Sequence, residues 1–284
     1  MLNNHPLQVR LSDCYGRTGP SVYDPLDATC RRISVLSARI IGYATAHDLF
    51  TRDGNGHVKG LKPGICNAEI VEMANLLNTI PYSPALQAHA NLQAGLTARS
   101  LRHSSSFQRV RAQWIALPEE ARMASLKTMS QAITRSINEN RPLIINNPLI
   151  AKAQLTTGAA MQVNTYRQPG QNIDFMMISI NHATLASPDF DQTAAMLWHE
   201  HWHVYMAHLR DAFDQREIAT DHPLYHDARK ASLISACNIL GNITLSETLY
   251  RAEPEEKLCY QSQNIFYRVL RYNPPAPGMT PHHG

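Results

Sequence analysis

The stretch QTAAMLWHEHWHVYMAHL, residues 192–209, contains no glycine or proline, and Glu200 is its one acidic side chain, with no lysine or arginine beside it. Its flanks read as a helix. Ser187 can cap the start, Pro188 suits the first helical position, and Asp189 and Asp191 complement the helix dipole. Nothing breaks the pattern from 189 to 214, so a long helix is predicted. Trp198, Trp202, Tyr205, Leu209 and Phe213 give it an apolar face that has to be buried. The rest of the chain must supply the cover.

At 284 residues and 44% hydrophobic, the chain can do so as one large domain or two small ones. A formal charge of +3, with no block of lysine and arginine among aromatics, gives no reason to expect a nucleic-acid partner. The opening MLNNHPLQVRLSDCYG lacks a charged head followed by an apolar core, so no secretory signal is expected; no apolar stretch reaches the length of a membrane span. Cysteines at 14, 30, 66, 237 and 259 are odd in number and form no CxxC pair, which fits buried thiols in a reducing compartment. A cytoplasmic protein satisfies this, as does one exported without a cleaved signal, in the manner of a bacterial effector or toxin.

Along the chain, residues 1 to about 25 read as a loose arm. Helices are predicted over DATCRRISVLSARIIGYATAHDLF, ICNAEIVEMANLLNTI and SPALQAHANLQAGLTARSL, with the glycine-rich TRDGNGHVKGLKPG breaking the first from the second. That break resembles a calcium loop, but Thr51 and Lys62 stand where acidic ligands belong, so it reads as a tight turn. HSSS at 103–106 offers a cap and a boundary. FQRVRAQWIA and LPEEARMASLKTMSQAITRSINEN continue the helical run.

The character changes at RPLIINNP, AAMQVNTYRQ and NIDFMMISI, which predict a small sheet whose last two strands form a hairpin across QPGQN. DHPLYHD reads as a loop. ARKASLISACNILGNITLSETLY reads as a helix weakened by Gly241, EPEEKLCYQSQNIFYRVLRY as the last helix, and 273–284 as a disordered tail. The expected organisation is a helical region, 1–105, a candidate for substrate or partner recognition, followed by a catalytic unit, 106–272. The fold class is α+β, mainly helical, with the small sheet packed on the 189–214 helix.

On a helix, residues four apart lie on one face. His199 and His203 can therefore grip one metal ion, while Glu200, about 100° around the helix, reaches a water on it rather than the ion itself. This is the HExxH arrangement of two ligands and a general base. A strand reading would instead align His199, His201 and His203, but the caps and the absence of breakers oppose it. His201 then points away and packs, and His208 is structural.

LWHEHWHVY resembles the extended signature of the zincin metallopeptidases: HExxH with uncharged neighbours and a hydrophobic residue, Tyr205, two places after the second histidine. The resemblance extends loosely to the strand–hairpin–helix order over 143–214. It implies a zinc-dependent metallopeptidase acting on protein or peptide substrates through zinc-bound water, with Glu200 as general base. The metzincin subclass is excluded, because Leu209 stands where its third histidine belongs and Met206 where it has glycine. The gluzincin subclass takes a glutamate from a later helix. Glu256-Lys-Leu-Cys259-Tyr260 is similar to the ExxA[DY] pattern of gluzincin-like families and makes Glu256 the favoured third ligand, with Glu247, Glu253 and Glu255 as rivals. His222 and His226 are further conceivable ligands. Glu256, Tyr260, Gln263 and Tyr267 share one face of their helix, as the lining of a cleft would. Tyr260, Tyr225 and His226 are candidates for stabilising the oxyanion, and NIDFMMISI for pairing with an extended substrate. Two other readings remain open: a catalytically inactive zincin-like binding module, and an all-helical interaction protein in which the motif is incidental.

Overall fold

The computed structural model describes residues 24–272 apart from 53, 55, 57, 140–142, 156–158, 167–174 and 238–245. The expected N-terminal arm up to residue 23, the tail from 273, the turn at 168–172 and Gly241 lie outside the described residues.

The N-terminal region consists of α1 (Pro25–Ala46), the hairpin β1 (Phe50–Arg52) and β2 (Val58–Leu61), α2 (Asn67–Asn78) and α3 (Pro84–His103). Aspartate and serine start the long helices as their chemistry dictates: Leu26 N donates to Asp24 Oδ1 at 2.9 Å, and Leu86 N to Ser83 Oγ at 3.1 Å. The first helix stops at Ala46 rather than running to Phe50, because Asp48 turns left-handed at φ 46° and Phe50 begins a strand. The expected turn is thus the tip of a two-stranded hairpin. Its residues carry no strand periodicity, which hid the strands.

Next come α4 (Ser105–Gln113), a short 3-10 turn (Trp114–Ala116), α5 (Glu119–Glu139), strands β3 (Leu149–Ala153), β4 (Met161–Tyr166) and β5 (Phe175–Asn181), and α6 (His182–Ala186). The sheet order is β3-β5-β4, with β5 parallel to β3 and antiparallel to β4. The last two expected strands form as an antiparallel pair. The first is displaced: 143–148 joins no sheet, and Leu149–Ala153 pairs instead. Side chains take up the backbone of the earlier segment. Asn138 accepts from Ile145 N and donates to Ile145 O, both at 2.9 Å, and Asn146 N donates to His208 Nε2 at 3.1 Å. Groups spent in this way cannot join a ladder.

The long helix α7 (Phe190–Asp214) is capped by Asp189, which accepts from Gln192 N at 2.9 Å. Ser187 was the expected cap; it lies two residues too early, at the end of α6. Between Thr193 and Leu209 only Met196, His203 and His208 are not fully buried. A helix buried all round belongs at the centre of a core. Accordingly α5, α8 (Tyr225–Cys237), α10 (Pro254–Arg271) and strand β4 all pack on α7, and α3 lies along α10. One hydrophobic cluster runs from Cys30 to Leu270. The helix expected over 228–250 begins earlier, at Tyr225, inside the expected DHPLYHD loop, and Ser246 starts a separate helix, α9 (Glu247–Ala252). The architecture is α+β and mainly helical, with the three-stranded sheet against α7. Among the described residues no helix is long and apolar enough to cross a membrane.

Candidate metal centre

Two helices build the site. On α7, the apolar surround that buries Trp198 and Trp202 fixes the facing histidines. Trp198 stacks on Phe266 of α10 with ring centroids 5.1 Å apart, and its Nε1 donates to Ser262 Oγ at 3.2 Å. These contacts set α10 against the histidine turn. Pro254 occupies the first helical turn of α10, and Glu253 caps it by accepting from Glu256 N at 2.6 Å. The helix start therefore delivers Glu255 and Glu256 to the rings.

The Nε2 atoms of His199 and His203 lie 3.0 Å apart. Glu256 faces both: Oε2 is 3.3 Å from the first and Oε1 3.4 Å from the second. The other nitrogens are held from behind. His199 Nδ1 donates to Gln263 Oε1 at 2.9 Å, and His203 Nδ1 donates to Glu255 Oε1 at 2.7 Å. Arg210 Nη1 stands 3.8 Å from Glu255 Oε2 and steadies it.

In the neutral rings, this arrangement leaves a lone pair on each Nε2, pointing at the other and at a carboxylate. The three groups repel unless a proton or a metal cation lies between them. Oε2 of Glu256 is also buried with no hydrogen-bond partner, and a buried oxygen without one is costly. Ligands around a tetrahedral zinc, at its usual bond lengths, stand about 3.3 Å apart, close to the three separations here. The residues present thus fit a divalent ion held by His199, His203 and Glu256.

Electrostatics agree. Burial opposes ionisation of Glu256, yet His203 and His199 hold its carboxyl well below the usual range. Burial likewise opposes charge on His203, but Cys259, Glu256 and Glu255 more than offset it and raise its pKa well above the ordinary value. Without an ion, a proton on His203 answers the charge of Glu256 and Glu255.

Cys259 competes for the role of ligand, since its sulfur groups with the two histidines closely enough to share an ion. It approaches His203 at Nδ1, 3.8 Å away, the nitrogen already engaged by Glu255. The Nε2 side, with Glu256, is the coherent set.

Glu200 lies beside this cluster on the cleft. Burial raises its pKa, while His203 and His199 pull it partly back, and Val163 of β4 borders the same cleft. The cleft encloses about 890 Å³ and is bordered by β4, the hairpin, α7 and α9, a size suited to a substrate.

Of the other expected site residues, Tyr260 sits against the cluster with its ring 4.6 Å from that of His199, and its hydroxyl is 3.2 Å from that of Tyr250. Tyr250 borders the cleft beside Glu256; burial, then Glu256, raises its pKa well above the ordinary value. Sequence reasoning missed it, since nothing in ETLYRA marks it. Glu247 lies at the rim, exposed and paired with Arg251 at 2.6 Å, away from the rings. His222 accepts from Leu224 N in its own loop, and Tyr225 packs on Phe213. Neither these two nor His226 borders the cleft. His201 points away, with Nδ1 donating to Leu197 O at 2.7 Å and Nε2 3.0 Å from Ser130 Oγ. Gln263, read only as cleft lining, holds a ring in place; its position seven residues after Glu256, on the same helix face, was the available signal.

Comparison of the chain with protein-family models, curated proteins and solved structures finds no match.

Proposed function

We propose that the chain is a zinc-dependent metallopeptidase in which His199, His203 and Glu256 hold the ion and Glu200 is the general base. The observation that carries this reading is the convergence of two Nε2 atoms, 3.0 Å apart, on both oxygens of one buried carboxylate. Two histidines and one glutamate form a known donor set of catalytic zinc, and they leave a fourth position open. Bound there, zinc lowers the pKa of a water toward about 7 and polarises a carbonyl.

The chain's own groups do the rest. Glu200, its pKa raised by burial, takes a proton at its carboxylate and passes it to the leaving amine. The tyrosine pair at 250 and 260 supplies a hydroxyl to the developing oxyanion. The substrate strand-pairing expected of 172–180 moves to a different element. β5 is central, with both edges occupied, whereas β4 has a free edge on the cleft. The buried thiol of Cys259 beside the rings suits a reducing compartment, in the producing cell or in one reached by export without a cleaved signal.

The test measures zinc per chain and hydrolysis of an unstructured polypeptide for wild type and Glu200→Gln. The expected result is zinc in both and a hydrolysis rate lowered about 10²–10⁴-fold in the variant. Undiminished hydrolysis by Glu200→Gln removes it as base. Zinc without hydrolysis in wild type favours an inactive binding module, and zinc content insensitive to His199→Ala favours an incidental motif.

A further inference from the structure

Successive side chains of a strand point to opposite faces, so a cavity lying over one face meets every second residue. The cleft over Glu200 does not follow that rule. On β2 it is bordered by Val58, Lys59, Gly60 and Leu61 without a gap, with Thr51 of β1 reaching it across its partner Gly60, and on β4 by Met161, Gln162 and Val163 in succession and then Thr165. Consecutive residues of one strand border one cavity when the cavity meets the strand edge-on. Both strands have such an edge to offer. In the order β1-β2 and in the order β3-β5-β4, neither β2 nor β4 has a second partner among the described residues. The ladder fixes the direction for β4: Asn181 N donates to Ala160 O at 3.0 Å, so in this register Gln162 and Asn164 face β5 and the Val163 amide points away from it. In an antiparallel pair the outward-facing groups alternate, so Met161 and Thr165 share that orientation.

Resting on the peptidase reading above, we infer that β2 and β4 are the two walls of one slot, and that the substrate is an extended polypeptide inserted between them. It hydrogen-bonds β4 through one set of its amides and β2 through the alternate set. The inserted chain joins the two small sheets into one. A folded or helical segment, whose amides are already spent, cannot make these bonds. The hairpin thereby gives the N-terminal region a role in choosing the substrate. Lys59, exposed on β2 and bordering the cleft, favours an acidic side chain at the position that reaches it.

The test uses the zinc-loaded full chain. A library of unstructured peptides identifies a cleaved sequence, and each backbone amide of that peptide is then N-methylated in turn. The slot requires losses of about tenfold or more in kcat/KM, the worth of one hydrogen bond to the transition state, at consecutive positions around the scissile bond. Losses at every second position alone mean a single wall, β4, and overturn the slot while leaving the peptidase reading intact. A wild type that cleaves no peptide faster than Glu200→Gln overturns both. Lys59→Glu gives a second readout. The preferred side chain at one position shifts from acidic toward basic, while Lys127→Glu on α5, outside the cleft, leaves the profile unchanged. An unchanged profile for Lys59→Glu removes the hairpin from recognition.

Discussion

Replacing Gln263 with leucine removes one hydrogen bond and nothing else of similar weight. Gln263 Oε1 accepts from His199 Nδ1 at 2.9 Å, and both residues are buried, at 8% and 5% exposure. With leucine the Nδ1–H has no acceptor, and water cannot easily replace it. In the ion-free protein the ring can escape by carrying its proton on Nε2, where Glu256 accepts it. In the zinc-loaded protein Nε2 is committed to the metal, so the whole penalty falls on the bound state. An unsatisfied buried N–H costs about 1–3 kcal/mol, which at about 1.4 kcal/mol per decade is roughly 5- to 150-fold in zinc Kd, in line with the loss typical of such outer partners. Competition against a chelator of known affinity measures it. Gln263→Glu keeps an acceptor and restores most of the affinity. If Gln263→Leu binds zinc within about twofold of wild type, the outward Nε2 lone pair is not set by this bond, and the argument from converging lone pairs fails.

Other consequences are independent of that one. Cys259→Ser leaves zinc stoichiometry and affinity nearly unchanged in the same chelator assay, because the sulfur faces a nitrogen that Glu255 already engages; loss of zinc would shift the ligand set to His199, His203 and Cys259. Tyr250→Phe lowers kcat by about 10- to 100-fold with little change in KM, since its hydroxyl borders the cleft beside Glu256; Tyr260→Phe has a smaller effect, and equal kinetics for both variants and wild type remove the pair from catalysis. His201 is buried with its pKa lowered to about 4 by desolvation, against Leu197 and Ser130 bonds that raise it. The unfolded chain binds the proton near pH 6.5, so the folded state holds fewer protons between pH 4 and 6.5. Its stabilisation is complete above pH 6.5 and lost as pH falls through about 4, amounting to roughly 3 kcal/mol across the window. Denaturant midpoints of wild type and His201→Gln over that range should diverge, with the variant's pH slope flatter; parallel slopes would show that His201 is not the titrating group.

Local chemistry made a large part of this protein legible. The HExxH spacing, the unbroken uncharged run around it and the Pro254 helix start all act within a few residues, and helical geometry alone places His199 beside His203 and Glu200 off to one side. The same holds for the long helices, whose apolar periodicity survives any packing. The failures have a common cause. Leu149–Ala153 became a strand because β5 offered it an edge, and 143–148 did not because Asn138 and His208 had taken its backbone. Ser187 lost the cap to Asp189 through the placement of α6.

The chain alone determined that two imidazoles one helical turn apart would share a buried face, because 3.6 residues per turn requires it. Which acidic group answers them was decided only in three dimensions. Glu247, Glu253, Glu255 and Glu256 are chemically alike in the sequence. The packing of Trp198 on Phe266 sets where α10 begins relative to the rings, and that placement turns Glu256 onto both rings, Glu255 behind one and Glu253 to the cap, while Glu247, on the separate helix α9, stays at the rim. The same packing turns Gln263 onto His199, and the tertiary fold sets residues of β2 and β4 around one cleft, relations between remote segments that no local spacing encodes.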